Sequence, residues 1–103
     1  MTLIRFTSGF ALLFILTWLP SASSVRAAPT CFGQTATIVG SGIIDGSAGA
    51  DVIVGSNGKD LITGNGGADL ICALSGDDTI YAGSGNGKID AGAGNDHIEV
   101  SGG

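Results

Sequence analysis

Basic residues are scarce in this chain, which has 4 Lys and Arg against 9 Asp and Glu, and a single His. Nucleic acids and anionic membrane surfaces are bound through clusters of basic side chains, so the composition argues against both as partners. Aromatic residues make up only 6% of the sequence, and a chain this short buries little surface on folding. A conventional globular core is therefore difficult to build.

Long hydrophobic runs are also missing, apart from one short run near the start, Phe10–Leu19. It follows the positively charged segment Met1–Arg5 and precedes a Ser/Ala-rich stretch with Val25 and Ala27 at the −3 and −1 positions of a cleavage site. This layout is typical of a secretory signal peptide, residues 1–27. The alternative, a membrane anchor, needs about 20 apolar residues. We therefore expect an extracellular protein without stable membrane insertion after cleavage.

A nine-residue repeat fills most of the remaining chain, whose two lysines and nine acidic residues leave a net charge of −7. Six copies follow one another from residue 46 to residue 99: GSAGADVIV, GSNGKDLIT, GNGGADLIC, ALSGDDTIY, AGSGNGKID and AGAGNDHIE. The fourth place is always Gly and the eighth always Ile, while the sixth is Asp in every copy except the fifth, which has Gly87. A degenerate copy, Thr37–Asp45, precedes them.

The composition of each repeat predicts a turn followed by a strand. The first six places are rich in Gly, Asn and Ser, which favour tight turns, and the last three carry β-formers around the constant Ile. Two such half-coils, running in opposite directions, are needed to complete one coil. We therefore predict an all-β fold, a right-handed parallel β-roll with two sheets and 18 residues per coil, in which repeats n and n+2 stack about 4.8 Å apart. The eighth-place side chains should fill its thin core: Ile53, Ile62, Ile71, Ile80, Ile89 and Ile98.

This stacking also places the sixth-place aspartates above one another, as Asp51 with Asp69, Asp60 with Asp78, and Asp78 with Asp96. Like charges about 5 Å apart repel by roughly 3 kcal/mol at an effective dielectric near 20, which favours a cation between the coils. Carboxylates and turn carbonyls, with no thiolate or imidazole nearby, form a hard oxygen site that suits Ca²⁺ better than Mg²⁺. The alternative is that Asp only caps its turn by accepting backbone N–H bonds.

The repeat resembles the nonapeptide G-G-x-G-x-D-x-U-x of the RTX, or haemolysin-type, calcium-binding proteins. The resemblance covers Gly46–Glu99, and the opening Cys31–Gly40 is similar to the head of small secreted members. It implies a parallel β-roll with Ca²⁺ between successive turns. Turn carbonyls and the sixth-place side chains would bind the ion: Asp51, Asp60, Asp69, Asp78 and Asp96. Gly87 departs from the pattern, so the site that it shares with Asp69 should be weak or empty.

The only two cysteines, Cys31 and Cys72, are expected to form a disulfide, the default in a secreted chain; two free thiols are the alternative. Cys72 occupies a ninth place, so its side chain should point outward, and Cys31 should then lie across the outer face of that sheet. We interpret residues 28–45 as an N-terminal cap with the degenerate repeat, and residues 46–103 as the repeat domain.

Signatures of catalysis are missing after the signal segment. Asp77 and Asp78 are adjacent carboxylates, but neighbouring turn residues point apart, and Asp77 at the variable fifth place should be solvated. His97 has no second His or Cys close in sequence, and there is no Ser/His/Asp set, phosphate loop or redox motif. We therefore predict that the protein is not an enzyme.

The function that we predict is a secreted calcium-binding β-roll whose folding is coupled to the ion. One alternative is a surface or matrix adhesion module, in which a calcium-stabilised roll supports contacts to sugar or protein. Another is an accessory or truncated piece of a larger secreted RTX protein. The last residues, Val100–Gly103, stop inside a turn, which is consistent with truncation or with head-to-tail self-association.

Overall fold

The structure is a computed structural model that describes residues 27–101, so nearly all of the predicted signal peptide lies outside the described residues. This part of the chain is all β and contains no helix that could cross a membrane. A hairpin of β1 (Thr30–Cys31) and β2 (Gln34–Thr35) comes first. Eight strands follow: β3 (Ile38–Val39), β4 (Ile43–Asp45), β5 (Val52–Val54), β6 (Leu61–Thr63), β7 (Leu70–Cys72), β8 (Thr79–Gly83), β9 (Lys88–Asp90) and β10 (His97–Val100).

The eight strands alternate between two parallel sheets, ordered β3-β5-β7-β9 and β4-β6-β8-β10. Ile53 lies opposite Ile71 in the first sheet, and Ile62 lies opposite Ile80 in the second, so each coil takes two repeats. From β5 onward, every strand begins at the seventh place of its repeat. The predicted β-roll with n on n+2 stacking is therefore confirmed. Its first coil is shorter, because Ile38 pairs with Ile53.

The eighth-place isoleucines form a thin core between the sheets. Five of them are buried: Ile44, Ile53, Ile62, Ile71 and Ile80. Ile89 is partly buried and packs against this cluster. The expectation that Ile98 also fills the core is wrong, because its side chain is 44% exposed. Ile98 lies on β10, the last strand that the structure describes, and no later coil of described residues covers it.

Close contact between stacked turns accounts for the fourth-place glycines from the third repeat onward. Gly67 has a φ of +93°, and a Cβ added to it would lie 2.5 Å from the carbonyl carbon of Gly49 in the preceding coil. Gly76 has a φ of +110°, and its Cβ would lie 2.5 Å from the carbonyl oxygen of Gly58. Any side chain here would separate the coils, so the glycine is required by stacking as well as by the turn.

The predicted disulfide is present. Cys31 and Cys72 are joined with Cα atoms 5.7 Å apart, and Cys31 is almost completely buried. The hairpin of β1 and β2 lies against β5 and β7, on the outer face of their sheet, where Val54 is also buried. Joining cysteines 41 positions apart stabilises the fold by roughly 4 kcal/mol through the lost entropy of the unfolded chain. The disulfide therefore attaches the cap to the roll.

The core analysis predicts different effects for two chemically identical substitutions. Ile62→Ala should lower the free energy of unfolding of the calcium-loaded protein by about 2–5 kcal/mol, because Ile62 is fully buried between the sheets. Ile98→Ala is the matched control and should lower it by less than about 1 kcal/mol, since its side chain is exposed. Denaturant unfolding in Ca²⁺ measures both values, and equal losses would contradict this assignment of the core.

Candidate metal centre

The sixth-place aspartates lie in two columns, one for each set of stacked turns. In one column the backbone N–H of Asp51 donates to Oδ1 of Asp69 at 2.9 Å. The same contact recurs in the other column: Gly42 to Asp60 at 2.7 Å, Asp60 to Asp78 at 2.7 Å, and Asp78 to Asp96 at 2.9 Å. These four carboxylates thus reach the backbone of the coil before them, whereas that of Asp51 bonds within its own turn. The structure therefore brings together the aspartate pairs that stacking predicts.

Four of these five aspartates are buried: Asp51, Asp60, Asp69 and Asp78 are between 1% and 7% exposed. Asp96, in the last coil, is only partly buried. An ionised carboxylate is costly to bury unless both of its oxygens have hydrogen-bond donors or a cation as partners. The partners of the second oxygen, Oδ2, therefore decide what each turn can bind.

In the first two repeats, Oδ2 is satisfied by the serine at the second place of the same turn. The N–H of Ser47 donates to Oδ2 of Asp51 at 2.6 Å, and Oγ of Ser47 lies 3.0 Å from both carboxylate oxygens. The N–H of Ser56 donates to Oδ2 of Asp60 at 2.7 Å, and its Oγ lies 2.9 Å from Oδ1. These two aspartates cap their own turns, as the alternative interpretation of the sequence proposed.

In the next two repeats, Oδ2 has no such partner. The Oδ2 atoms of Asp69 and Asp78 are buried and accept no hydrogen bond. The second-place residues of these turns are Asn65 and Leu74, with φ values of +71° and +79°. Neither N–H donates to the carboxylate of its turn, and neither residue has a hydroxyl group. A buried carboxylate oxygen without a donor fits a cation, so the residues present are suited to a metal ion.

A carbonyl oxygen also approaches the turn of Asp69. The position that a Cβ of Gly64 would occupy is 2.7 Å from Oδ2 of Asp69 and 2.7 Å from the carbonyl oxygen of Ala82 in the next coil. A cavity of about 330 Å³ adjoins Asp69 and is also lined by Ala82 and Gly87. Within residues 27–101, no three His, Cys, Asp or Glu side chains come close enough to share a metal. Any ion here would be bound by one or two carboxylates with carbonyl oxygens, a ligand set that Ca²⁺ accepts.

Burial raises the pKa of Asp69 and that of Asp78 above the ordinary value of 3.8. The charge of Asp51 adds to the rise at Asp69, while the hydrogen bond from the Asp51 backbone opposes it. At Asp78 the hydrogen bond from the Asp60 backbone opposes the rise, and the charges of Asp60, Asp96 and Asp77 add to it. Both carboxylates with a bare oxygen are therefore electrostatically strained when ionised without a cation.

The other polar residues singled out in the sequence lie outside this centre. Asp77 is exposed, and its Oδ1 accepts a hydrogen bond from the N–H of Asn95 at 2.9 Å, which links two stacked turns. His97 is exposed on β10. Sequence reasoning missed Ser47 and Ser56, although serine at the second place in only the first two repeats was a visible signal.

Comparison with protein families gives one match over most of the repeat region. The family model of the RTX calcium-binding nonapeptide repeat (4 copies) matches residues 39–71 and 73–103. No curated protein and no solved structure matches the chain. The matched ranges contain all five sixth-place aspartates, and residue 72 between them is the cysteine of the disulfide.

The raised pKa values predict a pH effect on the ion-free chain. A carboxyl group with a higher pKa in the folded state binds protons more tightly there, so folding is favoured as pH falls from neutral through these raised values towards 3.8. Circular dichroism in chelator should show β structure increasing over this range. The Asp69→Asn, Asp78→Asn double variant, which removes both titrating groups, should show a smaller gain. A loss of β structure in the parent between neutral pH and about pH 4 would contradict the prediction.

Proposed function

Because the chain belongs to the RTX calcium-binding nonapeptide repeat family, we propose that it is a secreted protein whose roll folds when Ca²⁺ binds between its turns. Proteins of this family bind Ca²⁺, and this chain is a calcium-binding β-roll. The observation that carries the proposal is the pair of buried, unpartnered Oδ2 atoms of Asp69 and Asp78. A divalent cation would balance these charges and supply the missing partner.

The sequence predicts five side-chain ligands, Asp51, Asp60, Asp69, Asp78 and Asp96, together with turn carbonyl oxygens. Of these we propose Asp69, Asp78 and Asp96 as the ligands, because serines of their own turns already bind the carboxylates of Asp51 and Asp60. Support comes from their arrangement in two columns, in which each carboxylate contacts the coil before it. When bound, the ion would supply positive charge between carboxylates that otherwise repel one another.

Coupling between folding and binding follows from the thin core. Each nine-residue repeat contributes one isoleucine to the interior, whereas all nine of its residues lose conformational freedom on folding. The buried aspartates add electrostatic repulsion. An ion that binds only to the folded form shifts the equilibrium towards it. Calcium therefore stabilises a roll that its apolar contacts hold only weakly.

Secretion is supported by two independent features. Residues 1–27 have the layout of a signal peptide, and the disulfide between Cys31 and Cys72 is of the kind formed in oxidising compartments. The proposed organisation is a signal peptide at 1–27, a cap with a degenerate repeat at 28–45, and calcium-binding repeats at 46–103. The disulfide joins the second of these segments to the third.

A structural role rather than catalysis is proposed, because the family is a structural calcium-binding repeat and the charged residues of the turns are committed to stacking. Adhesion is not favoured by any specific observation. Among the described residues, the exposed aromatic side chains are Phe32 and Tyr81, which lie on the hairpin and on β8 of the opposite sheet, and two such side chains do not form a row.

Calcium should induce a large part of the β structure. Circular dichroism of the purified protein is expected to show a weaker β signal in chelator than in millimolar Ca²⁺. Asp78→Ala should raise the Ca²⁺ midpoint on the order of tenfold, because it removes a buried oxygen ligand. Asp77→Ala is the matched control, because its exposed carboxylate accepts one hydrogen bond from the N–H of Asn95 and is not a proposed ligand, and it should shift the midpoint much less than Asp78→Ala. Equal β structure in chelator and in calcium would refute the coupling.

The disulfide should lower the amount of calcium that folding requires. Reduction frees the hairpin and raises the entropy of the unfolded chain, which removes roughly 4 kcal/mol of stability. The reduced protein should therefore show its folding midpoint at a higher Ca²⁺ concentration than the oxidised protein. Identical midpoints with and without reductant would show that the bridge contributes no stability to the roll.

A further inference from the structure

The turns of the roll are of two kinds, and the change occurs at the third repeat. In the first two repeats the second place is Ser47 or Ser56, and neither has a positive φ. From the third repeat onward the second place is always in the left-handed region: Asn65 at +71°, Leu74 at +79°, Gly83 at +78° and Gly92 at +79°. The backbone N–H of the second place therefore has a different direction in the two kinds of turn.

This difference decides what surrounds the aspartate. In a serine turn, an N–H and an O–H of one residue both approach the carboxylate, at 2.6 Å and 3.0 Å for Ser47. The serine Oγ also accepts a bond from the N–H of the fourth-place glycine, at 3.1 Å from Gly49 and from Gly58 in their respective turns. Two partial positive charges then stand where a cation would otherwise be needed. In the left-handed turns of Asp69 and Asp78, neither donor is present and Oδ2 is bare.

We propose that Ser47 and Ser56 replace a bound cation in the first two turns. Calcium then binds most tightly at Asp69 and Asp78, and the roll has an ion-independent beginning followed by an ion-dependent remainder. This inference rests on the calcium-binding function proposed above and assigns the ions to particular turns. It ranks the aspartates in expected calcium affinity by the hydrogen-bond partners of their oxygens, rather than by the number of carboxylates in each stacked pair.

Ranking the calcium sites by the partners of the carboxylate oxygens and ranking them by the number of carboxylates give the most different results at Asp69. Its partner in the next coil is Gly87, so counting carboxylates predicts a weak or empty site. A Cβ at Gly87 would lie only 2.3 Å from the carbonyl oxygen of Asp69, so this coil has closed over the space that a side chain would need. The bare Oδ2 of Asp69 instead lies near the carbonyl oxygen of Ala82, beside the cavity that Gly87 lines. Carbonyl oxygens can complete a calcium site in place of a second carboxylate.

The disulfide-linked hairpin stabilises the same end of the roll as the serines. It packs on β5, which lies between the two serine turns, and on β7, which follows the turn of Asp69. The first coils therefore have the packed hairpin and two serine–aspartate contacts, neither of which requires an ion, and the disulfide joins this hairpin to Cys72 of the third repeat. The later coils have the bare carboxylates, and they stack on the first coils through bonds from Leu70 N–H to the Asp51 carbonyl and from Thr79 N–H to the Asp60 carbonyl. The first coils are thus a template for the later ones.

Residue-resolved hydrogen exchange of the disulfide-bonded protein tests this order directly. In chelator, the N–H groups of Ser56 and Leu61 should exchange at least about tenfold more slowly than those of Lys88 and His97, although all four are hydrogen-bonded in the folded roll. Millimolar Ca²⁺ should protect the second pair and remove most of the difference. Uniform exchange along the roll in chelator, or better protection of the last repeats, would overturn the proposal.

Substitution of the serines provides the second test. The Ser47→Gly, Ser56→Gly double variant removes both hydroxyl groups, so protection of Leu61 in chelator should fall at least about tenfold and return when Ca²⁺ is added. Ser75→Gly is the matched control, because this turn serine donates its hydroxyl to Asn57 and not to an aspartate. An unchanged exchange rate at Leu61 in the double variant, or an equal change in the control, would overturn the role assigned to the serines.

Ion counting by calorimetry separates the individual turns. Asp69→Asn and Asp78→Asn should each lose about one tightly bound ion relative to the parent, whereas Asp51→Asn and Asp60→Asn should lose none. If the parent bound no Ca²⁺ at all, the proposed function itself would fail. If the parent bound Ca²⁺ but all four variants lost ions equally, the function would stand and the division between the two kinds of turn would be wrong.

Discussion

Contact between turns two repeats apart is the interaction on which the rest of the structure depends. From the third repeat onward it requires glycine at the fourth place, since a Cβ at Gly67 or Gly76 would clash with the backbone of the coil before it. The same contact aligns the isoleucines into a core and the aspartates into two columns. Core and metal centre are thus two results of one stacking geometry, and neither can be changed without the other.

This geometry buries carboxylates, which is unfavourable, and the buried carboxylates are of two kinds. Asp51 and Asp60 receive hydrogen bonds from serines of their own turns, while Asp69 and Asp78 keep one bare oxygen each. The first arrangement is complete within the protein, and the second is complete only with a cation. The change from one to the other follows the direction of the chain, so position along the roll becomes a determinant of calcium dependence.

The size of the chain explains why it relies on such contacts. A small domain buries a limited fraction of its surface, and here the interior holds one isoleucine from each repeat. Small proteins commonly compensate with disulfides or metal ions, and this roll combines a disulfide-linked cap with carboxylates arranged for calcium in its later turns. The hairpin adds cover to one sheet, where it buries Cys31 and lies against the strand of Val54.

The sequence by itself determined the nine-residue period, the two-sheet roll and the pairing of aspartates, because each follows from residue spacing in a regular coil. It also determined the disulfide, because the chain has two cysteines and the layout of a secreted protein. The exposure of Ile98 required the structure, since it depends on which coil is last to be covered. The hydrogen-bond partners of each aspartate Oδ2 atom also required the structure. The consensus treats Ser47 and Asn65 as equivalent second-place residues, yet their φ values differ, and so do the hydrogen bonds at the aspartates of their turns. The physical reason is that the second-place residue satisfies the carboxylate only when its backbone torsion directs its N–H towards that carboxylate. The adjoining coil constrains this torsion.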